Sequence, residues 1–169
     1  PSALGPARRC AIRPRRRRAR STVPVMGDVT GSDSVVINAP LADVLAVVRD
    51  VAGQVDWFPG TVSAEVVEEY EDGTPARAHL VNDLKVAKDE FDLDYEHGEA
   101  SMSWQLAAPS SAQRSASGSW QLEEAGSGTR ATLSLAIEPS LPLPGFLVKK
   151  AMKDTLKSAV AGLKSRCEG

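Results

Sequence analysis

Reactive side chains are scarce in this chain. Its 169 residues include two cysteines and two histidines. Cys10 and Cys167 lie near opposite termini, so no disulfide framework is expected, and a reducing, cytoplasmic setting is favoured. His79 and His97 lack a Cys or His partner at ligand spacing, which argues against a metal centre. No apolar run reaches the roughly 18 residues that crossing a bilayer requires. Neither a Gly-x-Ser-x-Gly elbow nor a phosphate loop ending in Lys-Ser/Thr is found. Gly126-Ser-Gly128-Thr-Arg-Ala131 meets a loose dinucleotide fingerprint, but it joins two strand-like segments. A pyrophosphate there would lack the helix N-terminus that holds it, so the segment reads as a hairpin turn and no cofactor is expected.

Acidic residues are missing from one region altogether. None precedes Asp28, whereas arginine occupies positions 8, 9, 13, 15 to 18 and 20. The remaining 12 basic residues face 22 acidic ones, so the net charge of −2 describes neither part. Residues 1–25 carry no apolar h-region and no periodicity, and are expected to be a disordered basic arm. Such an arm can bind nucleic acid or anionic lipid, or serve as a transit segment. Met26 sits just before the first patterned segment, and the Arg/Pro/Ala-rich text also resembles translated upstream sequence. Residues 26–169 are expected to form a single domain, with no nucleic acid as its partner.

What is present is patterned apolar residue. Ser34 to Asn38 reads as a short strand that Pro40 stops, and Leu41, Val44, Leu45 and Val48 recur at the spacing of one helical face. Gly53 to Phe58 suits a second helical turn or two, ended by Pro59-Gly60. From Thr61 the period changes to two, with six strand candidates separated by short turns, which implies antiparallel neighbours. Phe91, Leu93 and Tyr95 alternate with Glu90, Asp92, Asp94 and Glu96, so the sheet has one wet and one apolar face. Asp89 is read with these acids as part of the solvated face. Ala76, Ala78, Leu80, Asn82 and Leu84 form the more apolar parity of their strand, which puts His79 on the wet face. "SLPLPGF" breaks the pattern and launches a long helix from about Pro144 to Arg166. Its apolar stripe runs through Val148, Met152, Leu156, Ala159 or Val160, and Leu163, with Lys149, Lys150, Lys153, Lys157 and Lys164 on the other side.

The order is strand, two short helices, six meandering strands and a long C-terminal helix, an α+β arrangement in which one curved sheet grips one helix. With "VVINAPLADVLAVVRDV", the Trp57-Phe58-Pro59-Gly60 corner, "FDLDY", "SMSWQL", "SGSWQL", "GTRATLSLAIE" and "PLPGFLVKKAMKDTLKSAVAGLKSR" in succession, the chain resembles the START-like, helix-grip (SRPBCC) superfamily. Within it the likeness is to bacterial polyketide cyclase/dehydrase-type and coenzyme Q-binding-like lipid transport proteins. The resemblance spans about Val35 to Arg166. It implies a deep apolar cavity between the concave sheet and the long helix, closed at one end by the short helices.

On that reading, Trp57 and Phe58 plug the corner or line the ligand entrance. Phe91, Leu93, Tyr95, Met102, Trp104, Trp120, Leu133, Leu135, Met152 and Leu156 line the cavity. The expected partner is a hydrophobic small molecule such as an isoprenoid quinone, a polyketide or a lipid acyl chain, held by a carrier or sequestering protein. No membrane span is expected, although the lysine face leaves room for transient membrane contact. The rival is a polyketide cyclase, aromatase or dehydrase using Tyr70, Asn82 or Tyr95, or Arg77, His79 and Asp83 in the opposite register. A third reading is a partner-binding module whose interior is closed by its own side chains.

Overall fold

The computed structural model describes residues 28–85 and 87–169. The basic arm expected over residues 1–25 lies outside the described residues. β1 (Val29–Ile37) is followed by α1 (Leu41–Arg49) and a 3₁₀ turn (Ala52–Asp56). Six strands then succeed one another: β2 (Thr61–Glu69), β3 (Pro75–Asp83), β4 (Lys88–Gly98), β5 (Ser101–Leu106), β6 (Gln113–Ala125) and β7 (Gly128–Pro139). α2 (Gly145–Glu168) ends the chain. The seven strands form one antiparallel sheet in the order β1-β7-β6-β5-β4-β3-β2. This is the helix-grip fold that the alternation and the terminal helix predict.

The meander follows from its turns. Gly73 and Gly126 sit at hairpin tips with φ of +82° and +61°, in the left-handed region where a side chain is strained. Each short turn returns the next strand beside the last, and β1 closes the order by pairing with β7. β1 is longer than the expected Ser34 to Asn38. Its first half, Val29-Thr-Gly-Ser-Asp33, carries little apolar alternation because α2 crosses it closely: a Cβ on Gly31 would meet Leu156 Cδ1 at 2.8 Å.

α2 buries Met152, Leu156, Ala159, Val160 and Leu163 against the inner face of the sheet, mainly over β1 and β7. α1 buries Val44 and Val48 and packs between α2 and the middle strands. Between these helices and the sheet lies one core, in which Trp120, Met102, Leu133, Leu163 and Ile37 are fully buried. The aromatic corner closes it. Trp57 is buried, with its ring 5.7 Å from Phe58 edge to face and 6.1 Å from Trp120. Gly60, at φ +80°, then turns the chain into β2. Gly162 of α2 abuts the Trp57 carbonyl, and any larger residue would push the helix off the corner.

Candidate functional site

The alternation in each strand divides the sheet into an inner face under α2 and an outer face toward solvent. On the inner face Gly31, Leu135, Gly118, Trp104 and Tyr95 are successive cross-strand partners. Gly118 sets the local shape. A Cβ there would overlap the Trp104 indole and lie 2.8 Å from Leu135, so its absence lets Trp104 lie flat across β6. Trp104 in turn stands 6.5 Å from the Tyr95 ring. Met152 and Leu156 reach down from α2 beside Gly31, at the other end of this row.

Ten of the twelve residues expected to line the cavity are buried: Trp57, Phe91, Leu93, Tyr95, Met102, Trp120, Leu133, Leu135, Met152 and Leu156. Phe58 and Trp104 are half-buried against the same cluster. In this structure the twelve belong to one hydrophobic cluster between the sheet and the helices. Four polar atoms are left unpaired on this inner parity: Tyr95 Oη, Trp120 Nε1, Asn82 Oδ1 and His97 Nδ1 are buried without a hydrogen-bond partner. Burial holds the Tyr95 phenol above its ordinary pKa, so the hydroxyl keeps its proton and can donate.

Two surface concavities flank this core. The wider, about 880 Å³, touches Tyr95, Trp104 and Leu135 but draws most of its lining from residues of outward parity. Ser32, Ser134, Ser119 and Ser103 form a row of cross-strand neighbours along it, ending at Glu96. It is therefore a trough on the outer face. The narrower, about 570 Å³, lies where β1 and β7 end beneath the start of α2, between Val29, Leu141, Leu143 and Val148. Val29 and Val148 belong to the inner side, so this concavity forms a mouth at the rim of the core.

The other polar candidates are dispersed. His79 Nδ1 is 2.7 Å from Asp92 Oδ1, and Arg77 Nε donates to Asp94 Oδ1 at 2.7 Å, both as half-exposed pairs on the outer face. Tyr70 is half-exposed and donates to the Tyr95 carbonyl at 2.7 Å. Asp83 is exposed and caps its own turn by accepting from Lys85 N. None of these shares a pocket with Asn82, and among the described residues no group of three or more His, Cys, Asp or Glu could hold a metal ion.

Asp89 corrects the expectation of a solvated acid: it is 1% exposed. Ser110 Oγ, Ser111 Oγ, Gln113 Nε2 and Ala112 N all donate to its carboxylate at 2.8 to 3.3 Å. Burial, the largest single influence, pushes its pKa up, and the donors together outweigh it, leaving the carboxyl below its ordinary value. The signal was available: Asp89 shares the parity of Phe91, Leu93 and Tyr95, and its donors are the consecutive hydroxyls of the β5–β6 turn. That turn also receives Ser140 N on the Ala112 carbonyl at 2.9 Å, so Asp89 anchors the wall of the mouth.

With this geometry in place, comparison with known proteins is informative. The family described as polyketide cyclase/dehydrase and lipid transport matches residues 28–168. No curated protein matches the chain in sequence. Among solved structures, the chain is similar to a START superfamily protein from Mycobacterium smegmatis, with a TM-score of 0.76 at 22% identity over 82% of this chain and 97% of that one. It is also similar to a STAR-related lipid transfer protein from Xanthomonas axonopodis (TM-score 0.64, 18% identity, 83% and 86% covered). A third likeness is to the Zhui aromatase/cyclase from a Streptomyces species (TM-score 0.61, 16% identity, 83% and 94% covered). These likenesses share one START-like fold, and the match over nearly the whole described length identifies the chain as a member of the polyketide cyclase/dehydrase and lipid transport family.

Proposed function

We propose that this protein binds a hydrophobic small molecule bearing a carbonyl or similar acceptor between the inner sheet face and α2, as a carrier or sequestering protein. The supporting observation is the pair of unpaired donors, Tyr95 Oη and Trp120 Nε1, buried in otherwise apolar surroundings. An unmet buried donor costs about 1–3 kcal/mol, a cost that a ligand oxygen would remove. Isoprenoid quinones, polyketides and acyl chains all combine such an oxygen with apolar surface. Each Å² of that surface removed from water contributes about 25 cal/mol before entropic losses. Room for the guest would come from Trp104, beside Tyr95, and from Met152 and Leu156, which reach down from α2 beside Gly31. Methionine suits this role because its unbranched thioether adapts to varied shapes.

The gathering of the twelve side chains into one cluster favours a second reading, a partner-binding module with a permanently filled interior. Native mass spectrometry of the purified full chain, followed by solvent extraction of any adduct, separates the two. The carrier reading expects a defined lipid, quinone or polyketide in the extract, or uptake of one from a mixed panel. A protein that stays empty against the whole panel would support the filled module. Chemistry on the guest would need a proton acceptor beside Tyr95; conversion of a bound polyketide, lost in Tyr95→Phe with affinity retained, would instead indicate a cyclase.

A further inference from the structure

The segment joining β7 to α2 exposes apolar side chains that lie outside the core cluster. Leu141, Leu143, Phe146 and Leu147 are 48%, 53%, 72% and 46% exposed. Other exposed large apolar residues of the described chain are scattered singly along strands and turns, as is normal for a surface. Here four fall within seven positions beside the mouth lined by Leu141, Leu143 and Val148. A contiguous apolar patch of this kind marks a surface meant to be covered.

We propose that this patch docks on an anionic lipid bilayer. Charge is the first argument. No acidic residue lies between Glu138 and Asp154, while Lys149, Lys150 and Lys153 are all exposed. At 1.5 Å per helical residue, these lysines trail Phe146 by about 4 to 10 Å along α2. That matches an interfacial element whose apolar end enters about 5–10 Å while its cations stay with the phosphates.

The backbone is the second argument. A segment entering hydrocarbon must leave few N–H groups unmet. Pro139, Pro142 and Pro144 have none, Leu143 N donates to the Leu141 carbonyl at 2.8 Å, and Leu147 and Val148 N donate to the Pro144 carbonyl at 3.0 and 3.3 Å. A protein partner recognised through strand addition would want those donors free. The patch lies beside the mouth, so docking would bring the rim of the core to the lipid surface. The surface proposal does not depend on the ligand reading, because its assay contains no ligand.

The test is flotation of the full chain with phosphatidylcholine vesicles, with and without 30% phosphatidylglycerol, at 0.1 and 0.5 M NaCl. The eight leader arginines also attract anionic vesicles, but that attraction is screened at the higher salt. At 0.5 M NaCl the double variant Leu143→Asp with Phe146→Asp is expected to bind the anionic vesicles about tenfold more weakly than the parent. Lys149→Glu with Lys150→Glu and Lys153→Glu should lose severalfold at 0.1 M. Val62→Asp, a comparably exposed apolar residue on β2, should change nothing, and circular dichroism should show all variants folded. Equal flotation of the double variant and the parent would overturn the proposal. So would absence of binding to every vesicle, or a parent dimer that the double variant converts to monomer, which would assign the patch to a second copy.

Discussion

The two faces of this sheet are written at alternate positions of the same strands, yet they solve opposite problems. On the inner face Tyr95, Met102, Trp120 and Leu133 are buried in the core and exclude water, while two donors among them find no partner. On the outer face, one residue away in sequence, Asp94 and Asp92 are paired with Arg77 and His79 within reach of solvent. The contrast teaches that polar groups here have unequal consequences. A charge pair on the wet face is cheap to make and lose, whereas an unpaired hydroxyl on the dry face is costly unless something binds it.

The contrast is sharpest for removal of bulk. Trp120→Ala should destabilise by about 3–5 kcal/mol, because it leaves a cavity under Trp57 and Met102, whereas Gln121→Ala on the neighbouring outward position should stay within about 0.5 kcal/mol. Urea denaturation of both variants measures the difference. Equal effects would mean that the faces are wrongly assigned.

Asp89 is the exception within the inner face, a carboxylate satisfied by four donors. Asp89→Asn should cost about 1–3 kcal/mol near neutral pH, since the amide cannot accept from all four. The sign of its pH dependence follows from a pKa held below the ordinary 3.8. Its stabilisation is fully present above that value and is lost as pH falls through the lower folded-state pKa. The gap between parent and variant in denaturation midpoint should therefore be constant from pH 7 to 5 and close only in strong acid.

Gly118→Ala probes the shape of the inner face. The added methyl collides with Trp104 and Leu135, and should cost about 1–3 kcal/mol and change the tryptophan fluorescence spectrum as the indole moves. The smallest effect belongs to the outer face: Arg77→Ala should leave the urea midpoint almost unchanged, and 0.5 M NaCl should shrink any difference further, because the pair with Asp94 is more than a third exposed on both sides.

Much of this contrast is legible in the residues alone. Phe91, Leu93 and Tyr95 announce the dry face by parity, and Met152, Leu156 and Leu163 announce the helix stripe by period. The first half of β1 is harder to read because its signal is a missing side chain, Gly31, whose meaning depends on a helix more than a hundred residues away. Asp89 follows the parity rule but defies the expectation that acids face water, since its donors sit across the β5–β6 turn. How tightly the interior packs is the least legible feature. Alternation reports which side chains point inward and says nothing of how completely they meet. The exposed Leu141, Leu143, Phe146 and Leu147 resemble core residues in composition, and only the path of the chain leaves them uncovered.

The central claim is that the unpaired donors of the dry face await an acceptor carried by an apolar guest. It is tested most directly by measuring the stabilisation that a decyl-chain ubiquinone confers on the parent and on Tyr95→Phe in chemical denaturation. Without ligand, Tyr95→Phe should be at least as stable as the parent, since it removes an unmet hydroxyl. At saturating quinone the parent should gain more than the variant, by about 1 kcal/mol or more, the worth of one buried hydrogen bond. Equal gains in both proteins, or no gain in either, would contradict the account.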